Sequence, residues 1–418
     1  MIKVFYYLNN GVIDHIECDC QCTIKELLNK IKEKYDDLQD INYAYLKCNK
    51  LDEGCSLKNY ADDLIYAPLI ISNEPTKSFE NYLHLIDINN YTNFQIIGQS
   101  SFYNCIKAYD RKNKKHVFIR ALETNNPTKV KIFRAIFILC DVSTINHPGI
   151  SKILGFSYPL KDQQISVRKG QSKHPMNLAS CYIFVFEYEK YGNLERFVSE
   201  YLKGYQVDIM NPTIRCKIIY GVASAMKAAH HKNTICQHLS MSHILINKKC
   251  EVKLSQFEYK DLYKVNIKRA DLRFDLMLGS PPEDLVFENE EDEDKFFDNE
   301  INKAGDVFAY SLFLYKMFEN DFKKYDNGRK IRKNVYVFSV NIGFGRRPVR
   351  PENIPDQYWE LIQRCWKQDP EERPTFDEIV EELLDDKYRL EEYGMKTNLD
   401  ELHEYQKRLQ KFEYDLDE

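Results

Sequence analysis

Three thiols come first among the side chains with an obvious capacity for chemistry: Cys18-Asp19-Cys20-Gln21-Cys22 spaces them two apart. Closely spaced thiolates hold soft cations such as zinc, which usually draws on paired C-x-x-C or H-x-x-H elements. No such partner pair lies nearby, and spacings of two put the thiols on one face of a strand. Buried and strand-edge thiols are therefore expected, and no metal site is assigned. Charge supplies the other chemistry legible without an element assignment. Glu288 to Asp294 is densely acidic, whereas the loop from Lys161 to His174 and the stretch Lys260 to Arg273 are rich in bases. Such runs read as solvated loops, with partner surfaces as the alternative.

The elements that must position these groups belong to a chain of 418 residues, more than one core usually organises. Hydrophobic residues make up 43% and charged residues 29%, as in a folded domain, and the net charge is -5. No global field drives binding to nucleic acid or to an anionic membrane. The 12 cysteines are scattered through apolar runs, which suits reduced core thiols. No stretch approaches the roughly 20 apolar residues of a membrane helix, and Met1 to Leu8 lacks a signal-peptide pattern. A cytoplasmic protein with protein partners is expected.

Residues 1–72 read as one unit. Ile2 to Tyr7 alternates as a strand, Asn9-Asn10-Gly11 turns the chain, and Val12 to Cys18 returns. Thr23 and Glu26 form a capping box, with Ile24, Leu27, Leu28 and Ile31 following at helical spacing. Tyr43 to Lys47 and Leu69 to Ser72 are further strands around Lys50-Leu-Asp-Glu-Gly-Cys-Ser-Leu-Lys-Asn-Tyr60. With that run the segment resembles ubiquitin-like β-grasp domains, without the Gly-Gly tail of conjugated ubiquitins, which implies protein docking. A linker is expected over 73–93. The tail 389–418 holds a helix with Leu399, Leu402, Tyr405, Leu409 and Phe412 on one face, either docked or partner-binding.

Residues 94–388 carry a longer resemblance. Gly345-Arg-Arg-Pro-Val-Arg-Pro351, Trp359 to Trp366 and Asp369-Pro-Glu-Glu-Arg-Pro-Thr375 resemble the end of the helical lobe of protein kinases, most closely the tyrosine-kinase-like group. Asn146-His-Pro-Gly-Ile150 resembles the turn after that family's small-lobe helix, and Phe184-Val-Phe-Glu-Tyr188 its interlobe hinge, with Phe186 at the gatekeeper position. The resemblance implies an α+β chain: a ubiquitin-like domain, a bilobal kinase fold (small lobe about 94–188, large lobe about 189–388), and a C-terminal helix. It also implies three structural residues: Asp306 at the start of a central helix, and an ion pair between Glu283 and Arg373.

The positions that carry the family's chemistry depart from its pattern. The ATP-holding lysine is Arg120, and its glutamate partner falls on Ala135, leaving nothing obvious to pair with Arg120. Within Cys236 to His243 the base is His238, the following lysine Ser240 and a metal-binding amide His243. The other metal ligand is Gln256. Magnesium prefers hard oxygen donors, so both metal positions are compromised. The phosphate loop keeps Gly98 but has Ser100 and Tyr103 at glycine positions, and the adenine floor is Phe118. The expected function is a pseudokinase with no cofactor, acting on proteins, an active kinase among them, as scaffold or allosteric regulator. The alternative is a weak or atypical kinase using ATP and magnesium, with Glu258 or Asp261 as substitute ligand.

Overall fold

In this computed structural model the described residues are 2–8, 13–19, 21–34, 43–46, 49–50, 52–60, 69–72, 84–99, 103–123, 129–160, 163–179, 181–205, 210–236, 239–255, 257, 280–284, 303–318, 341–392 and 394–412. They form two compact units: residues 1–144 with 152–188, and residues 145–151 with 189–418. No helix among the described residues is long and apolar enough to cross a membrane.

The first unit begins with strands β1 (Ile2–Leu8), β2 (Ile13–Cys18), β3 (Tyr43–Leu46), β4 (Asn49–Lys50) and β5 (Leu69–Ser72) in the order β2-β1-β5-β3-β4. Strand β1 is antiparallel to β2 and parallel to β5, and β5 is antiparallel to β3. Helix α1 (Ile24–Lys34) starts at a closed capping box: Thr23 N–H donates to Glu26 Oε2 at 2.8 Å, and Glu26 N–H donates to Thr23 Oγ1 at 3.2 Å. These bonds hold the exposed Glu26 carboxyl below its ordinary pKa. Ile24, Leu27, Leu28 and Ile31 pack on Val4, Tyr6, Ala44 and Leu57. Cys18 and Cys22 do not share a strand face. Cys18 ends β2, Cys22 lies in the turn before α1, and Cys20 is outside the described residues. Burial pushes the Cys18 thiol up to about 11, so it is an inert core group.

The same unit contains a sheet of seven strands, β6 (Tyr91–Gln99), β7 (Tyr103–Asp110), β8 (Lys115–Glu123), β9 (Ile153–Ser157), β10 (Gln164–Lys169), β11 (Ser172–Asn177) and β12 (Cys181–Glu187). Their order is β11-β10-β6-β7-β8-β12-β9. Helix α2 (Lys129–Thr144) follows β8. Strand β6 starts before the expected boundary at Phe94, because Asn93 at φ 56 makes a bulge that breaks the alternation while Tyr91 and Thr92 still pair with β7. Part of the expected linker is sheet-bound: Phe156 N–H donates to His84 O at 2.8 Å, and Ile86 N–H to Phe156 O at 2.9 Å. The basic stretch read as a loop is the hairpin β10–β11, whose buried Val167 anchors it to the sheet core.

The second unit is helical: α3 (Leu194–Tyr205), α4 (Pro212–His231), α5 (Lys303–Phe318), α6 (Asp356–Cys365), α7 (Phe376–Glu382) and α8 (Leu399–Gln410), with small hairpins β13 (Ile244–Ile246)–β14 (Val252–Leu254) and β15 (Glu391–Glu392)–β16 (Met395–Lys396). Asn211 and Pro212 start α4: the Asn211 side chain accepts the N–H groups of Thr213 and Ile214, and proline lacks the donor it would leave orphaned. Thr375 and Glu378 close a second capping box at α7. Helix α8 packs on α4, burying Leu402, Tyr405 and Leu409, whereas Leu399 in its first turn stays 44% exposed. Lys217 of α4 ties the two helices by reaching Glu401 at 2.8 Å.

Candidate functional site

In the first unit, the register of β8 decides where its side chains go. Val117, Ile119 and Ala121 join the buried core with Ile106, Ala108, Ile183 and Val185. Period-two alternation puts Phe118 and Arg120 on the other face. There Phe118 stands opposite Phe186 and Arg120 opposite Phe184 on β12. The Arg120 guanidinium carbon lies 4.0 Å from the centroid of the Phe186 ring, and the Phe118 ring centroid is 6.2 Å from it. Arg120 is 1% exposed. One partner that the sequence did not show for it is thus an aromatic face, which attracts a guanidinium through its quadrupole. Next to it, burial raises the Cys105 thiol pKa while the Arg120 charge opposes that rise.

Ala135 lies fully buried in α2 beside Ile136, Leu139 and Cys140, presenting a methyl group in that core. Gly98 pairs with Cys105 at an irregular point of β6, where an added Cβ would meet Cys105 Cβ at an ordinary 3.4 Å. Glycine is therefore not sterically demanded at that position. Ser100 lies outside the described residues, and Tyr103 is placed only as the first residue of β7. Lys107, opposite Phe118 on β7, directs its ammonium over the Tyr188 ring at 4.6 Å.

In the second unit, Asp306 in the first turn of α5 is 1% exposed. Its Oδ2 accepts Cys236 N–H at 2.8 Å and meets His230 Nε2 at 2.9 Å. A carboxylate accepting a backbone N–H is among the stronger hydrogen bonds, and this one pins the backbone at Cys236. His243 N–H donates to Ser240 O at 3.0 Å, and the Ser240 and Ser242 hydroxyls meet at 2.7 Å. Both the N–H and the hydroxyl of Ser255 donate to His243 O at 3.0 Å. This turn brings a buried imidazole, not an oxygen donor, to position 243. His238 and Gln256 lie outside the described residues, as do Glu258 and Asp261, while Phe257 is buried. Among the described residues no cluster of three His, Cys, Asp or Glu could hold a metal ion. At position 243 the imidazole nitrogen does not match the oxygen donors that magnesium prefers.

Glu283 and Arg373 meet as a bidentate pair, both N–H···O distances being 2.7 Å. The Arg373 side chain is wholly buried and also donates to the carbonyls of Ala304, Lys367 and Gln368. Sequence reading assigned no role to two groups of this framework. His230 was hidden at the end of α4, and His147 is buried with Nδ1 accepting Gly149 N–H at 3.0 Å and Nε2 3.1 Å from Ser224 Oγ. The signal available was a histidine closing the largely apolar stretch 218–229 for His230, and the turn motif Asn146-His-Pro-Gly149 for His147.

A strand-rich part with one helix, followed by a helical part in which an aspartate at the head of a central helix holds the Cys236 backbone, defines a protein-kinase-type domain. The family model for protein tyrosine and serine/threonine kinases matches residues 92–383, and the chain belongs to that family. Two probable serine/threonine-protein kinases of Dictyostelium discoideum are 25% and 28% identical over 51% and 38% of this chain. Dual specificity protein kinase zak2 of the same organism is 22% identical over 69% of it. The matched regions span 15%, 10% and 44% of those three proteins.

Proposed function

We propose that this chain is a pseudokinase: a kinase-family domain that works as a cytoplasmic scaffold or allosteric regulator of other proteins, an active kinase among them, rather than by phosphoryl transfer. One observation carries the reading. Arg120, at the position of the phosphate-holding lysine, lies buried on the Phe186 ring with Phe118 alongside. A planar guanidinium on an aromatic face is a packing element, and a fixed one is poorly suited to follow a triphosphate. His243 and Gln256 add to this, the first replacing an oxygen donor by imidazole and the second a metal-binding carboxylate by a neutral amide. The same proposal makes residues 1–72 a ubiquitin-like docking domain. Its support is the mixed sheet in the order β2-β1-β5-β3-β4, packed on one helix.

The alternative is a weak or atypical ATP-dependent kinase, favoured by the relatives, which are named as kinases. Thermal shift and phosphotransfer of the full chain with Mg-ATP decide between the two. The proposal expects no shift of the midpoint and no transfer. Nucleotide stabilisation together with transfer, both abolished by Arg120→Met, would establish the alternative.

A further inference from the structure

The connection between β9 and β12 runs out as the hairpin β10–β11 and crosses to the far side of the sheet. There Arg168 pairs with Gln95 of β6, so that β11 becomes an outer edge strand. Gly170 at φ 59 forms the turn, with Lys169 opposite Ser172 and Arg168 opposite Lys173. Two like charges facing each other across an antiparallel pair are destabilising. No Asp or Glu occurs in residues 163–179 or in β6 to dilute them. Arg168, Lys169 and Lys173 are all exposed, and none forms an ion pair among the described residues. A chain of net charge -5 thus keeps three exposed cations at one hairpin turn, with no acidic partner among the described residues.

We infer that this tip is a docking surface for an acidic polypeptide segment, one with consecutive Asp and Glu side chains. The arginine fork matches a carboxylate bidentately, and the adjacent lysines supply flexible point charges for its neighbours. Other occupants fit less well. A membrane surface asks for an apolar residue to insert, and the tip is Gly170-Gln171. Single-stranded nucleic acid asks for several large stacking platforms, and the hairpin has no Phe, Tyr or Trp, only the His174 ring. Addition of a strand to the β11 edge is impeded by Pro175, which removes a backbone donor. Edge protection alone is met by isolated charges and does not require two directly opposed cations. The inference stands whether or not the domain transfers phosphate.

The test is fluorescence anisotropy with the full chain and labelled heptaglutamate, with heptaglutamine as the neutral control. Heptaglutamate binds, heptaglutamine does not, and affinity falls as salt is raised through the physiological range. Arg168→Gln with Lys173→Gln weakens heptaglutamate binding at least about tenfold. The thermal midpoint of that variant is unchanged or higher, because repulsion across the hairpin is relieved. Lys169→Gln, outside the opposed pair, gives a smaller loss and serves as the second variant. Undiminished binding by the double variant, or no binding by the wild type at low salt, overturns the inference. So does tighter capture, dependent on Arg168 and Lys173, by phosphatidylserine vesicles or a single-stranded oligonucleotide.

Discussion

Tyr405 of α8 stands directly on Gly221 of α4: a Cβ added at 221 would overlap the tyrosine hydroxyl and come within 2.8 Å of Val252 Cγ2. The absent side chain lets the C-terminal helix approach, and the Lys217–Glu401 pair and the Arg408–Glu251 pair fix its azimuth. Gly221→Ala gains about 1 kcal/mol of helix propensity and loses roughly 1–3 kcal/mol to overpacking. Denaturant unfolding of the variant shows net destabilisation. Tyr405→Phe added to it restores part of the loss, a coupling of about 1 kcal/mol. Wild-type stability in the single variant would mean that α8 does not dock here.

Arg373 is the more demanding half of its ion pair. It serves both oxygens of Glu283 and three carbonyls, whereas lysine has three donors on a point charge. Arg373→Ala costs about 3–5 kcal/mol, and Arg373→Lys recovers part of that. Glu283→Gln costs less, because Glu283 is partly exposed and Arg373 keeps its carbonyl acceptors. Urea midpoints of the three variants should rank in that order, and equal losses would refute the asymmetry.

The strands and helices were legible wherever alternation or helical spacing ran unbroken, as in Ile2 to Tyr7 and around Leu27 and Ile31. Legibility failed where the signal depended on a partner distant in sequence. Arg120 looked unpaired because its aromatic neighbour is chosen by the β8–β12 register. The alternation of Ile165 and Val167, ending at Gly170, did mark a strand and turn, but the surrounding charges made the segment read as a loop. Asn93 concealed three residues of β6 by bulging it. Gly221 bore no local mark at all, since its role exists only once α8 is in place.

His147 makes stability depend on pH. Burial, with Lys253 adding repulsion, lowers its pKa from the ordinary value to about 3. The unfolded chain therefore binds a proton below about pH 6.5, while the folded chain resists it down to about 3. Between those limits the unfolded state holds more protons, so stability rises with pH and falls on acidification. Nδ1 already accepts Gly149 N–H, so protonation there would set two donors against each other. His147→Gln weakens folding at neutral pH but flattens the slope of urea stability between pH 6.5 and 4.5. An unchanged slope would show that the histidine is protonated when folded.

Gly155 gives the last prediction, because it controls how the segment leading from the N-terminal sheet meets the seven-stranded one. An added Cβ would overlap Ile86 Cγ2 and approach His84 O to 2.9 Å. Phe156 N–H donates to that same His84 carbonyl, and Phe156 O receives Ile86 N–H, so the clash falls on the bonded segment itself. Strand β9 pairs with β12 along one edge and meets Leu85 at Phe156 along the other. Gly155→Ala should therefore release residues 84–86 from β9 without unfolding the sheet. Amide exchange at Ile86 and Phe156 then accelerates while Val185 and Ile183 stay protected, and limited proteolysis cuts earlier near His84. Faster exchange across β12 would mean that the glycine serves the sheet as a whole, and unchanged exchange at Ile86 that the segment is held by other contacts.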